Sequence, residues 1–317
     1  MTQPPSPLPD KAQNRRLPLL IVVTGATASG KTDLAIRLAE RFGTEIISAD
    51  SRQIYRNMPV TTAVPTVEQR ARVMHHLVEA IDIDTPYSAA AFEKDSLEIL
   101  PHLFSRAGCA VVCGGSMLYI DALTRGLDDI PTISDTVRNR VREIYAQSGL
   151  EGVAAILQLY DPEYYEQVDK ANPRRVMHAI EICMQSGKTF SQLRAAKRTE
   201  RPFRTLTLAI DRPRQELFGR IDARVLRMVE NGMEEEARRL YPFRTLNALN
   251  TVGFKEWFAY FDGLMSRETA IARIAKNTRV YAKKQLTWLK RRDDIVWLDG
   301  SPASEEKAIG IIATALS

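Results

Sequence analysis

Apolar residues first cluster in a short unbroken run at positions 17–23, Leu-Pro-Leu-Leu-Ile-Val-Val. A run of that length with no polar interruption predicts a strand buried on both faces. The pattern then changes period. In residues 33–42 the apolar positions Leu34, Ile36, Leu38 and Ala39 suit a helix. Strand-like and helix-like segments go on alternating to about residue 119, with short strands ending near Asp50 and covering Cys109-Ala-Val-Val-Cys113. Such alternation predicts a parallel sheet with helices on both faces. From about 132 to 203 the strand pattern disappears, and Val137, Val141, Ile144 and Tyr145 recur at helical spacing. That segment is expected to be a helical insertion. Residues 204–211 return the chain to the sheet. Long helices follow over 214–241 (bending near Asn231-Gly232), 254–261 and 266–290, and residues 294–298 close the sheet.

Between the first strand and the first helix lies Gly25-Ala-Thr-Ala-Ser-Gly-Lys-Thr32. This is a complete phosphate-binding loop, Gly-x-x-x-x-Gly-Lys-[Ser/Thr], in its required strand-to-helix setting. Glycines allow backbone N–H groups to turn around phosphate oxygens, and the helix start adds partial positive charge. Lys31 reaches terminal phosphates, and the Thr32 hydroxyl can ligate Mg²⁺. The later Gly187-Lys188-Thr189 lacks the upstream glycine and reads as a helix end and a turn.

A loop of this kind establishes a polyphosphate ligand, not a reaction. Nucleotide hydrolases usually carry a carboxylate at the end of a second strand to hold Mg²⁺. Here that strand runs into Gly114-Gly115-Ser116 instead, which argues against an ordinary hydrolase. Asp50 ends a different short strand. Ligands of open α/β sheets sit beyond the carboxyl ends of the strands. Asp50 therefore has two open readings, a proton acceptor beside the phosphate loop or a cap on the turn that begins at Ser51.

The chain has 317 residues, 44% of them hydrophobic, and a formal net charge of +5. It can bury a large core, and its charge favours a polyanionic partner. Positive charge concentrates at Arg174, Arg175, Lys188, Arg194, Lys197, Arg198 and Arg201, and again on the last long helix at Arg273, Lys276, Arg279, Lys283 and Lys290. Two basic surfaces beside a phosphate loop point to a nucleic acid held by its backbone. Three cysteines (Cys109, Cys113 and Cys183) form no metal motif, as expected of a protein of the reducing cytoplasm. Residues 1–16, rich in Pro and polar side chains, are expected to be a disordered tail and not a signal peptide. No run is long enough to span a bilayer.

These pieces together resemble the tRNA dimethylallyltransferases, also called tRNA isopentenyltransferases. The resemblance runs through the phosphate loop, Asp50-Ser-Arg-Gln-Ile-Tyr55, His75-His-Leu77, Tyr87-Ser-Ala-Ala90 and Gly114-Gly-Ser-Met-Leu-Tyr119. It continues through Asn172-Pro-Arg-Arg-Val176, Ser186-Gly-Lys-Thr189, Val252-Gly-Phe254 and Lys284-Gln-Leu-Thr-Trp-Leu289. It implies a P-loop NTPase-like α/β core over 17–131 and 204–317, with a helical insertion over 132–203 contacting tRNA.

The implied reaction moves a dimethylallyl group from its diphosphate to the exocyclic amine of the adenosine just 3′ of the anticodon, in tRNAs reading codons that begin with U. The implied partners are tRNA, dimethylallyl diphosphate and Mg²⁺ on Thr32, in a monomer with no membrane attachment. The resemblance further implies catalytic roles for Asp50, Thr27, Lys31 and Arg220. Diphosphate or nucleotide would be bound by Gly25, Ala26, Thr27, Ala28, Ser29, Gly30, Lys31, Thr32, Arg220 and Arg224. Contacts to tRNA would fall on Asp50, Ser51, Arg52, Gln53, Ser116 and Arg138, then Arg174, Arg175, Val176, Met177 and His178. Asn250, Thr251, Val252, Gly253, Phe254 and Lys255 complete that set. Six positions depart from the family pattern: Ala26 for a proline, Thr61 for a glycine, Val64 for a lysine, Ser116 for a threonine, Ala91 for an acid and His178 for an arginine. The change at Val64 removes an expected basic contact.

Overall fold

The computed structural model describes residues 17–128, 130–194 and 199–317. The expected tail over 1–16, and Lys197 and Arg198 of the basic stretch, lie outside the described residues.

The strands are β1 (Leu19–Gly25), β2 (Ile46–Ser48), β3 (His75–His76), β4 (Cys109–Cys113), β5 (Arg204–Ile210) and β6 (Ile295–Leu298). The helices, in chain order, are α1 (Lys31–Phe42), α2 (Pro59–Thr62), α3 (Val67–Arg72), α4 (Ala89–Ala107), α5 (Met117–Arg125), α6 (Asp135–Tyr160) and α7 (Pro162–Gln167). There follow α8 (Pro173–Ser186), α9 (Phe190–Leu193), α10 (Arg214–Glu230), α11 (Met233–Leu240), α12 (Phe254–Phe261), α13 (Arg267–Leu289) and α14 (Pro302–Leu316).

All strand pairs are parallel, in the order β3-β2-β4-β1-β5-β6. β1 sits between β4 and β5, and every one of its residues is buried. That explains its unbroken apolar run, since a central parallel strand has no solvent face. The strand begins two residues later than the apolar run suggests, because Leu17 and Pro18 lie outside the ladder. Leu34, Ile36 and Leu38 of α1 and Ala308 and Ile312 of α14 pack with β1 and β4 in one core.

The topology positions the site. From β1 the chain crosses over β4 to reach β2, whereas from β4 it crosses back over β1 to reach β5. The crevice at that reversal, at the carboxyl edge of the strands, is where α/β sheets bind ligands. The phosphate loop leaves β1 there. Asp50 follows β2, Gly114-Gly115 follows β4, and Arg212 follows β5.

The helix expected over 214–241 is two helices, α10 and α11, broken where Gly232 adopts φ 90° and caps α11. The chain divides into two compact units, residues 17–124 with 201–317, and residues 125–200. In the second unit, α6, α7, α8 and α9 enclose their own core around Val141, Val153, Leu157 and Ile180. α6 is interrupted at Gly149, and Ser134 caps its start. Gly187 ends α8 in the left-handed conformation and Thr189 caps α9, so Gly187-Lys188-Thr189 is a helix end and a turn.

Candidate active site

The phosphate loop wraps the start of α1, whose first N–H groups have no acceptor within the helix. Gly25 needs its missing side chain, because a Cβ there would stand 2.8 Å from Ser29 Oγ and 2.9 Å from the Ile210 carbonyl. Three side chains from outside the loop, and Lys31 within it, hold its backbone. Arg212 Nε donates to the Ser29 carbonyl at 2.7 Å, and Arg220 Nε donates to the Ala28 carbonyl at 2.8 Å. Lys31 Nζ donates to the Ala26 carbonyl at 3.4 Å. Gln285 Oε1 accepts from the Thr27 amide at 2.9 Å. These bonds fix the backbone of a loop whose sequence is that of an anion-binding nest.

Thr27, Lys31, Thr32, Asp50, Arg220 and Arg224 line one cavity of about 990 Å³. Burial lowers the Lys31 pKa from its usual 10.5; Cys113 raises it, Arg224 lowers it further and the Asp50 charge raises it. Burial likewise lowers Arg224, against the attraction of Asp50. Both cations thus face the cost of burial beside Asp50, which an anionic ligand would offset. Burial pushes the Cys113 thiol up to about 11, so it remains a neutral wall group. Tyr281 also stands on the cavity wall.

The placement of Asp50 is compatible with both readings the sequence leaves open. Its Oδ1 accepts from the Arg52 amide at 2.9 Å and from the Gln53 amide at 3.4 Å, which caps the turn. Among the described residues Oδ2 accepts no hydrogen bond, and the side chain lines the cavity. The backbone behind it is strapped to the end of β4. Ser116 N donates to the Ala49 carbonyl at 3.1 Å, and Ser116 Oγ accepts from Ser51 N at 2.9 Å. Gly114 must be glycine here, since a Cβ would lie 2.0 Å from the Ala49 carbonyl oxygen.

Of the residues expected at RNA, Asp50, Ser51, Arg52, Gln53, Asn250, Thr251, Val252 and Lys255 line this cavity. Gln53 braces it, donating from Nε2 to the Ala63 carbonyl at 2.9 Å. Arg52 donates to the Asn247 carbonyl at 2.8 Å. Ser116 stands behind the wall as the strap just described. Gly253 is packed shut, with Met233 Cε and Thr61 Cγ2 each 2.6 Å from where a Cβ would be. Phe254 is fully buried and stacks on Phe258. Its side chain is committed to packing, so any RNA contact at this position would come from its backbone. Val176 is likewise fully buried, in the core of the second unit, and Met177 packs partly against that core. Arg138, Arg174, Arg175 and His178 are exposed in that unit. Arg138 lies 3.7 Å from Asp135, and His178 lies 3.4 Å from Glu181.

Sequence reasoning assigned no role to Gln285 or Arg212. A signal existed for the first. Gln285 shares the buried stripe of α13 with Ile274, Ala282 and Leu289, and a polar residue on such a stripe needs a buried partner.

The IPP transferase family model matches residues 53–292. At 51% identity over 278 residues, the chain is similar to tRNA dimethylallyltransferase 2 of Porphyromonas gingivalis, a match covering 88% of this chain and 93% of the relative. The chain belongs to the tRNA dimethylallyltransferase family. It is also 48% identical to tRNA dimethylallyltransferase 1 of Phocaeicola vulgatus, over 90% of this chain and 95% of that one. The full-length tRNA isopentenylpyrophosphate transferase of Bacillus halodurans superposes with a TM-score of 0.70 at 29% identity, covering 94% of this chain and 96% of its own. A eukaryotic dimethylallyltransferase solved acting on tRNA gives a TM-score of 0.81 at 26% identity, over 93% of this chain and 79% of its own. The prenyltransferase family and the parallel P-loop-like sheet expected from the sequence are thus those of the molecule. No described helix is long and apolar enough to cross a membrane.

Proposed function

We propose that this enzyme transfers the dimethylallyl group of dimethylallyl diphosphate to the exocyclic N6 amine of the adenosine 3′-adjacent to the anticodon, in tRNAs reading codons that begin with U. The observation that carries the reading is a single cavity lined by both an anion cradle and a carboxylate with a free oxygen. The diphosphate would sit in the loop from Gly25 to Thr32, met by Lys31, Arg220 and Arg224. As the allylic C1–O bond breaks, negative charge grows on the departing diphosphate, and these cations and amides stabilise it. The adenine N6 forms the new bond to C1 and passes a proton to Asp50 Oδ2. Diphosphate and N6-isopentenyladenosine are the products.

Mg²⁺ suits the donors present. The Thr32 hydroxyl would hold it with diphosphate oxygens and water, since Mg²⁺ keeps several waters and needs few protein ligands. Bound there, it would neutralise charge on the leaving group. Among the described residues no cluster of three His, Cys, Asp or Glu offers an all-protein site.

To meet Asp50 the target base must leave its stack, while the anticodon arm is gripped by its backbone. Arg138, Arg174 and Arg175 of the second unit and the exposed cations Arg273, Lys276 and Lys283 of α13 are suited to phosphate contacts. The protein is expected to do this as a monomer in the cytoplasm. The test is incubation of the purified chain with unmodified tRNA, Mg²⁺ and labelled dimethylallyl diphosphate, beside arms with AMP and with ATP. Label in tRNA supports the proposal. Label in AMP alone, or phosphate transfer from ATP, overturns it.

A further inference from the structure

We infer that Gln285 is a positioning residue that sets the separation between the diphosphate cradle and the base-presenting segment; the inference rests on the reading of Asp50 above. Gln285 is 96% buried, being 4% exposed. Its two amide atoms bond in opposite directions. Oε1 accepts from the Thr27 amide at 2.9 Å, and Nε2 donates to the Gly115 carbonyl at 2.9 Å. Both partners are backbone groups of fixed polarity, so only one orientation of the side chain satisfies both. Gly115 is shaped to this contact, because a Cβ there would lie 2.4 Å from Gln285 Nε2.

From Gly115 the connection continues to Asp50 through groups already tied together. Ser116 holds Ala49 and Ser51 on either side of the carboxylate, and Thr24 Oγ1 donates to the Gly114 carbonyl at 2.9 Å. One buried amide thus spans from the loop that grips the leaving group to the turn that presents the proton acceptor. Its backbone belongs to α13, which places Tyr281 and Thr278 of the preceding turns on the same cavity wall. Displacement of reacting groups by about 1 Å can cost on the order of 10²-fold in rate. The Thr27 amide is meanwhile committed to Gln285, so removing the side chain should alter geometry more than diphosphate affinity.

Three variants and a control test this. Q285L removes both bonds. G115A leaves Gln285 in the chain but pushes it out of place. Each should lower kcat about 10²-fold while the Kd values for tRNA and inorganic diphosphate stay within about threefold. Q285E is the diagnostic variant. Ionised, it accepts from Thr27 but repels the Gly115 carbonyl; protonated, it restores both bonds. Its kcat relative to wild type should therefore rise as pH falls from 9 to 6, whereas the ratio for Q285L stays flat. A kcat within threefold of wild type in both Q285L and G115A, or parallel ratios for Q285E and Q285L across pH, overturns the inference. D50N run alongside separates the two claims. Full activity in D50N removes the role of Asp50; a dead D50N beside fully active Q285L and G115A removes only the role of Gln285.

Discussion

Arg220 Nε donates to the Ala28 carbonyl at 2.8 Å, so one guanidinium both shapes the phosphate loop and faces the cavity it encloses. Ala28 has φ 63°, a left-handed conformation that a residue with a Cβ adopts only when held. The guanidinium's fork lets one nitrogen clamp that carbonyl and leaves the others available to a diphosphate in the proposed reaction. Lysine cannot do both, because its ammonium is a single point charge on a flexible stem. R220K should therefore lower kcat/KM for dimethylallyl diphosphate by about 10²-fold, near the loss of one preorganised oxyanion donor. Steady-state kinetics at saturating tRNA checks this. A loss below about threefold would make Arg220 a generic counter-charge.

Asp50 uses Oδ1 for the turn, and in the proposed reaction Oδ2 takes the proton. Asparagine at this position keeps an acceptor for the Arg52 and Gln53 amides but cannot take a proton. D50N should therefore keep the wild-type melting temperature within a degree or two while losing about 10²- to 10⁴-fold in kcat, the range of a general base. D50A should lose the same activity and also about 1 kcal/mol of stability, the usual worth of a cap. Calorimetry and single-turnover transfer read the two effects separately. Equal loss of stability in both variants would make Asp50 structural.

What the sequence made legible was local. The phosphate loop is eight consecutive residues between a strand and a helix, and its function follows from that contiguity. Asp50 was legible by one topological rule, that ligands gather at strand ends. Gln285 was not, because its bond to Thr27 joins residues 258 positions apart. No spacing rule reaches across such a distance. Val176 and Phe254 show the opposite limit, since the motifs around them point to RNA while both side chains are buried. Their own helical spacing signalled that burial. Val176 shares a stripe with Ala179, Ile180 and Cys183, and Phe254 shares one with Trp257 and Phe258; all are buried. The break between α10 and α11 was visible as Asn231-Gly232, but only the backbone shows Gly232 at φ 90° ending one helix and starting another.

Lys31 should give diphosphate binding a pH dependence. Burial lowers its folded pKa below the ordinary 10.5, so the folded state holds this proton less firmly than the unfolded chain. The folding penalty is complete below the folded pKa and is relieved as pH rises from there toward 10.5. Bound diphosphate reverses the sign, because its charge favours the ammonium. Affinity for inorganic diphosphate should thus weaken as pH rises through the folded pKa, at a pH below 10.5. Binding should also take up protons in that range. Calorimetry in buffers of different ionisation enthalpy measures both. K31M should bind more weakly and lose this proton uptake; its persistence would assign the titration to another group.

Glu236 of α11 is buried and accepts from the Val60 and Thr61 amides at 2.8 Å each, anchoring α2 beside the cavity. Removing the carboxylate leaves two amides without acceptors. E236A should lose roughly 2–4 kcal/mol, from two charge-assisted bonds and the desolvation cost of the orphaned donors. E236Q keeps one acceptor and should lose about half as much. Urea midpoints at constant slope would establish the order, and equal losses in the two variants would reject the paired-acceptor account.

Arg174 and Arg175 open α8 on the surface of the second unit, after the Asn172 cap and Pro173. A helix start already favours anions, and two exposed guanidiniums there are suited to a phosphate backbone. Each phosphate neutralised on a duplex contributes about 0.9 to the slope of log affinity against log salt. Replacing both arginines by alanine should therefore weaken tRNA binding and reduce that slope by about 1–2 units. Turnover of saturating tRNA should be nearly unchanged, because neither residue belongs to the cavity. Filter binding from about 50 to 200 mM salt, a range over which phosphate contacts change affinity by orders of magnitude, makes the measurement. An unchanged slope would take this helix start out of the RNA footprint and leave the grip to the cations of α13.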